Sequence, residues 1–199
     1  MMQAALKRAL DMLGAALLLL ALSPLLVTLA LLILANMGRP VFFRQQRIGR
    51  HEKPFGLVKF RTMLAGDKPD AERLTPFGSW LRRTSLDELP ELWNILIGDM
   101  SFVGPRPLLP RYLPFYTPRE ATRHAVRPGL TGLAQVNGRN AVGWDERLAL
   151  DAEYVERFSL KRDVEIVLRT VRIVLGQHGI SAEGEATMQA LDIARGARP

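Results

Sequence analysis

Apolar residues run almost unbroken through the first fifth of the chain. Between Asp11 and Arg39 lie 27 residues without a charge, mostly Leu, Ala, Val and Ile. A helix rising about 1.5 Å per residue would span a hydrocarbon core of about 30 Å over that length. The stretch reads as a membrane segment. A cleaved signal peptide fits less well, because the apolar run is too long and no short h-region ends in a small-residue cleavage site. Ser23 and Pro24 stand at its middle. Proline lacks an amide donor and clashes with the preceding turn, and a serine there can bond a carbonyl freed by the break. Each half then reaches only about mid-depth. The pattern predicts a re-entrant helix-break-helix with both ends on one face. The alternative is a kinked spanning helix, since prolines are frequent in such helices.

Beyond this segment the period changes. VFFRQQ and PFGLVKFRTM, within residues 41–63, flank a polar turn at Gly49, Arg50, His51 and Glu52 and predict a β-hairpin. Lys59 and Arg61 alternate with Phe60 and so share a face, either solvated or phosphate-binding. Residues 64–75, with Gly66, Asp67 and Pro69, read as a loop, and a short helix is expected at 79–83. LLPRYLPFY at 108–116 is either an interfacial segment or a packed loop. GLTGLAQVNGRN is dense in glycine, which permits tight turns and close approach to a ligand. Helices are predicted over about 145–158 and 164–175. In the second, Val164, Val167, Leu168, Val171 and Val174 or Leu175 form a stripe expected to pack on the core, with a membrane face as the alternative. The tail from Ala182 reads as partly loose. The expected fold is α+β and mostly helical: a re-entrant hairpin over 1–38 and a cytoplasmic catalytic domain over 39–199.

Charge narrows the choice of partners. The net charge is +7, and Lys7, Arg8, Arg39, Arg44, Arg47, Arg50 and Lys53 crowd both flanks of the apolar segment. Basic residues near anionic lipid contribute about 1 kcal/mol each, and cytoplasmic flanks carry the Lys/Arg excess. The cytoplasmic leaflet is therefore the expected partner. Nucleic acid is not, because no reading element or stacking platform appears. Asp11, one turn from Lys7 and Arg8, is expected to pair with either. The chain has no cysteine, which excludes disulfides and thiolate-bound metals.

The chemistry concentrates in SLDELPELWNILIGDMSFVGPRP, residues 85–107. Ser85 and Glu88 fit a capping box; alternatively the helix begins at Pro90 and the two acids sit on the turn leading in. Either way Asp87 and Glu88 lie near a helix start, with Arg82 and Arg83 before them. Leu86, Leu89, Trp93 and Leu96 would anchor that helix, and Asp99 is expected to cap a turn. Arg106 is stiffened by Pro105 and Pro107, so its fork loses less freedom on binding an anion. Carboxylates suited to a divalent cation beside a fixed guanidinium are what phosphate chemistry requires.

These residues resemble a known family. KRALD, the Ser23-Pro24 break, KFRTM, SLDELPELWN, GDMSFVGPRP and RPGLTGLAQVNGRN together are similar to the bacterial sugar transferases, the monotopic phosphoglycosyl transferases. RNAVGWDE and GISAEGEATM extend the likeness to the small members that open bacterial N-linked protein glycosylation. The resemblance implies transfer of a sugar 1-phosphate from a UDP-sugar to polyprenyl phosphate at the bacterial inner membrane, releasing UMP. An N-acetylated amino sugar is the expected cargo. Asp87 would be the nucleophile forming an aspartyl phosphosugar and the ligand of Mg²⁺. Glu88 would assist, for example by deprotonating the acceptor. Arg106, Lys59 and Arg82 would contact the donor phosphates, and Gln135, Asn137 and Arg139 would contact substrate.

Overall fold

The computed structural model describes residues 2–138, 143–176 and 189–196. Its architecture is mostly helical with two small sheets. Helices α1 (Met2–Ala21) and α2 (Ser23–Met37) meet at a 63° bend. No single described helix is long and apolar enough to cross a bilayer, whereas this bent pair is by length and composition. Ser23 Oγ donates to Leu20 O at 2.8 Å, satisfying a carbonyl at the break as its position predicts.

Both ends of the pair are tied to the rest of the chain. Lys7 Nζ meets Asp163 Oδ2 at 2.6 Å, and Arg8 donates to Ile95 O and Leu96 O. Asp11, only 4% exposed, accepts from Phe102 N. The expected pairing of Asp11 with Lys7 or Arg8 is thus replaced: each of the three polar groups serves a different distant element. At the far end, Arg61 donates to Met37 O, Gly38 O and Arg39 O. This caps the C-terminus of α2, where carbonyls lack intrahelical partners. Arg61 is therefore committed to these carbonyls rather than sharing an open face with Lys59.

The predicted hairpin forms. Strands β1 (Phe42–Ile48) and β2 (Pro54–Phe60) pair antiparallel, with Phe43 opposite Lys59, around a 3-10 turn at Arg50–Glu52. Residues 64–75, expected as a loop, carry the short helix α3 (Asp70–Arg73) and a Met63–Leu74 bridge. Helix α4 (Pro76–Arg83) starts earlier than expected because Thr75 caps it by accepting from Gly78 N. Helix α5 (Glu91–Ile97) follows, then strand β3 (Ser101–Val103). The 108–116 segment contains a 3-10 helix at Pro110–Phe115, with Leu108 and Tyr112 buried as in the packed reading. Helix α6 (Pro118–Ala121) leads to strand β4 (Gly129–Thr131), parallel to β3.

Helices α7 (Leu133–Val136), α8 (Trp144–Glu156), α9 (Leu160–Gly176) and α10 (Leu191–Ala194) complete the described chain. In α9 the expected stripe faces outward: Val164 is 58% exposed, and Leu168 and Val171 are exposed with it. The face that packs is Asp163, Ile166 and Thr170, where buried ion pairing and a hydroxyl contact to Thr131 replace pure apolar periodicity. The tail is not wholly loose either. Leu191 is fully buried, and Arg195 pairs with Glu120.

Candidate active site

The dyad lies on a 3-10 turn, Leu86–Glu88, that runs into α5. Ser85 adopts a left-handed backbone (φ 56°) and makes no capping bond. The capping box is thus not formed, and of the two predicted starts the one with the acids on the entering turn holds. Helix α5 begins one residue after Pro90. Of the expected anchors Leu86, Leu89 and Leu96 pack against the core, whereas Trp93 is 53% exposed and Leu92 and Ile95 are buried in its place. A buried amide fixes the helix to the hairpin: Asn94 donates to Gly56 O at 2.8 Å and accepts from Val58 N at 3.1 Å. Asn94 so completes the free edge of β2 and sets Lys59, the next residue, against the dyad. Asp99 closes the turn after α5 by accepting from Asn94.

Glu88 is the hub. Its Oε1 accepts from Lys59 Nζ at 2.5 Å and from Arg106 Nη2 at 2.7 Å. Lys59 Nζ is also 3.0 Å from Glu91 Oε1. Burial by itself would raise Glu88, but Arg106 and Lys59 outweigh it and hold the carboxyl well below the usual range. Glu91, almost fully buried, goes the other way: burial and then the charge of Glu88 push it up to about 7. Glu91 is not among the residues the motifs single out. Its signal was the three-residue spacing from Glu88, which sets the two acids on neighbouring positions of one turn.

Asp87 is different again. It is 8% exposed and has no hydrogen bond or ion pair among the described residues. Burial, then the negative charge of Glu88, raise it to about 6, against the pull of Lys59, Arg82 and Arg106. Arg82 itself is held by a bond from its Nε to Thr62 Oγ1 at 2.9 Å. The geometry therefore gathers Asp87, Glu88, Lys59, Arg82 and Arg106, the residues the resemblance singles out, and adds Glu91.

The glycine-rich block is used otherwise. A Cβ on Gly129 would lie 2.1 Å from Gly104 N, and one on Gly132 would lie 2.2 Å from Gly104 O. These glycines let two backbones touch, rather than admitting a ligand. Gln135 faces Thr131, Val136, Thr170 and Ile173, with both amide atoms buried and without a hydrogen-bond partner. Asn137 donates to Leu133 O. Arg139, with the first half of RNAVGWDE and all of GISAEGEATM, lies outside the described residues.

Among the described residues no three His, Asp or Glu side chains gather as a metal cage. Mg²⁺, however, is commonly held by one or two carboxylates together with substrate phosphates. A buried carboxylate without protein partners, as Asp87 is, fits that donor set.

Comparison with known proteins gives concordant matches. The sequence profile described as bacterial sugar transferase matches residues 2–177. The chain is 46% identical over 190 residues to an uncharacterized sugar transferase, EpsL, of Bacillus subtilis, covering 92% of this chain and 94% of that protein. It is 44% identical over 186 residues to a UDP-glucose:undecaprenyl-phosphate glucose-1-phosphate transferase of Caulobacter vibrioides, covering 85% and 69%. With an undecaprenyl-phosphate galactose phosphotransferase of Salmonella typhimurium it shares 37% identity over 197 residues, 87% of this chain but 41% of the relative.

Proposed function

Because this chain belongs to the bacterial sugar transferase family, we propose that it moves a sugar 1-phosphate from a UDP-sugar to polyprenyl phosphate, releasing UMP. The observation that carries the reading is the contrast within the dyad. One carboxylate is buried and free of partners, and its neighbour holds the two nearest cations. An Asp87 oxygen attacks the sugar-bearing phosphorus, and the bond to the UMP oxygen breaks. An oxygen of polyprenyl phosphate then attacks the same phosphorus, and the Asp87 carboxylate leaves. Splitting one displacement into two is what a carboxylate nucleophile supplies.

Lys59, Arg82 and Arg106 stabilise charge on the transferring phosphoryl group. In the resting arrangement Glu88 is a poor proton acceptor. When donor phosphates draw Arg106 and Lys59 toward themselves, its proton affinity rises and it becomes able to take a proton from the acceptor. Mg²⁺, held by Asp87 and the donor phosphates, would neutralise charge developing on the leaving UMP.

The site works at the cytoplasmic leaflet of the bacterial inner membrane. Support comes from the bent apolar pair α1–α2, whose two ends are both tied to the same domain, favouring a hairpin that enters and returns. Trp93 and Ile97 on α5 and Val164, Leu168 and Val171 on α9 add further exposed apolar surface. The proposed donor carries an N-acetylated amino sugar, on the resemblance through GISAEGEATM. The glucose and galactose named for the relatives make a plain hexose the competing donor. A panel of UDP-sugars assayed for UMP release decides between them. Asp87→Asn is expected to lower transfer roughly a thousandfold or more while the protein still folds; turnover near that of wild type would remove Asp87 as nucleophile.

A further inference from the structure

Arg106 is mounted on a tripeptide with little to hold it by, since Pro105 and Pro107 have no amide N–H. Its carbonyls do the holding. Pro105 O accepts from Gly129 N at 3.0 Å, and Leu108 O accepts from Ile48 N at 3.0 Å. Between them, Arg106 O accepts from Arg123 Nη2 at 2.6 Å and Pro107 O from Arg47 Nη1 at 3.3 Å. Four successive carbonyls are thus bonded by donors from three separate places in the chain: Gly129, Arg123, and the neighbouring Arg47 and Ile48 of β1. Two of those donors are guanidinium groups, which none of the expected chemistry uses.

Arg123 is the more committed of the two. It is 3% exposed, and through Nε and Nη2 it grips Asp151 Oδ2 at 3.2 and 2.8 Å. Its Nη1 bonds the Tyr116 hydroxyl at 3.1 Å. Asp151 is equally buried and belongs to α8, well away in sequence. A buried ion pair is weak support for stability compared with apolar packing of the same volume, and it is costly to break singly. Its gain here is direction: a rigid fork, fixed from behind, presents one N–H to the backbone of the arginine that grips Glu88.

We propose that Arg123 and Asp151 are positioning residues for the transfer reaction, fixing the Arg106 backbone so that its guanidinium is preset for the donor phosphate, with Arg47 as a second anchor from β1. This rests on the reading of Arg106 as a donor-phosphate residue. A loosely held arginine loses the orientation that makes an interaction with the reacting group effective.

The test is a double-mutant cycle on UMP release against donor concentration, with thermal unfolding measured alongside. Asp151→Asn and Arg123→Lys are expected to raise the donor KM about tenfold with a smaller change in kcat. In an Arg106→Ala background the same substitutions should leave kcat/KM almost unchanged, although they lower Tm as much as before. Equal fold losses in both backgrounds would mean general destabilisation and overturn the inference. So would a native donor KM in a folded Asp151→Asn, while leaving the reaction itself intact. Should Asp151→Asn fail to fold, Arg47→Gln at its half-buried anchor carries the same cycle. A raised donor KM that disappears without Arg106 supports the proposal, and an unchanged KM overturns it.

Discussion

Three acids within five positions have three different proton affinities, and each follows from what surrounds it. Asp87 is buried without a partner, Glu88 is gripped by two cations, and Glu91 is buried beside Glu88. The sequence made Asp87, Glu88, Lys59 and Arg106 legible because short motifs with fixed turn residues place them. It hid the role of Glu91, since the spacing from Glu88 does not say that Lys59, on a strand about thirty residues earlier, lies between the two glutamates. It also hid Arg123 and Asp151, whose work is done on a backbone carbonyl. Glu91 has a consequence for stability. The folded protein keeps its proton up to about pH 7, whereas the unfolded chain releases it near 4.5. The folded state binds more protons between those values, so stability falls as pH rises through that window. Glu91→Gln should remove the larger share of the fall, leaving only that of Asp87, so that the variant is more stable than wild type at pH 8 relative to pH 5. The expected difference is on the order of 1–3 kcal/mol. Chemical denaturation at the two pH values measures it, and parallel losses in both proteins would contradict it.

At the scale of elements, the hairpin β1–β2 and helix α8 were readable because alternation and helical spacing are local signals. Helix α9 shows the limit of that logic. Its apolar stripe is real, yet it points outward, and the packed face is marked by Asp163 and Thr170. Periodicity identifies a face without saying which solvent it meets. The glycines of RPGLTG taught a related lesson, for the close approach they permit is between β3 and β4 rather than toward a substrate. A methyl group at Gly129 would sit within 2.3 Å of Thr131 O as well as against Gly104 N. Neither is the end of a flexible side chain, so the sheet must open to admit it. Gly129→Ala is therefore expected to destabilise the fold by more than about 3 kcal/mol. A thermal shift within a degree or two of wild type would show that the two strands have more slack than their contact implies.

For the whole molecule, the apolar hairpin and the outward faces of α5 and α9 belong to one argument about where the site works. The chain has no cysteine, so single cysteines placed at Met1 and His51 can be labelled without background. In sealed inverted membrane vesicles a membrane-impermeant thiol probe should modify both. Protection of one and labelling of the other would replace the re-entrant hairpin with a crossing. The polar ties at the start of α1 also bear on the order of events during synthesis. Arg8, Asp11 and Lys7 find their partners 87, 91 and 156 residues further along. At typical synthesis rates of about 5–20 residues per second, the first helix waits seconds for the residues that will hold it. For much of that interval its leucines have left the ribosome, while the residues that tie it down are still to be added. On the membrane location proposed above, lipid would then be the earliest partner at hand, and the rest of the chain would be assembled on an anchor already set in place.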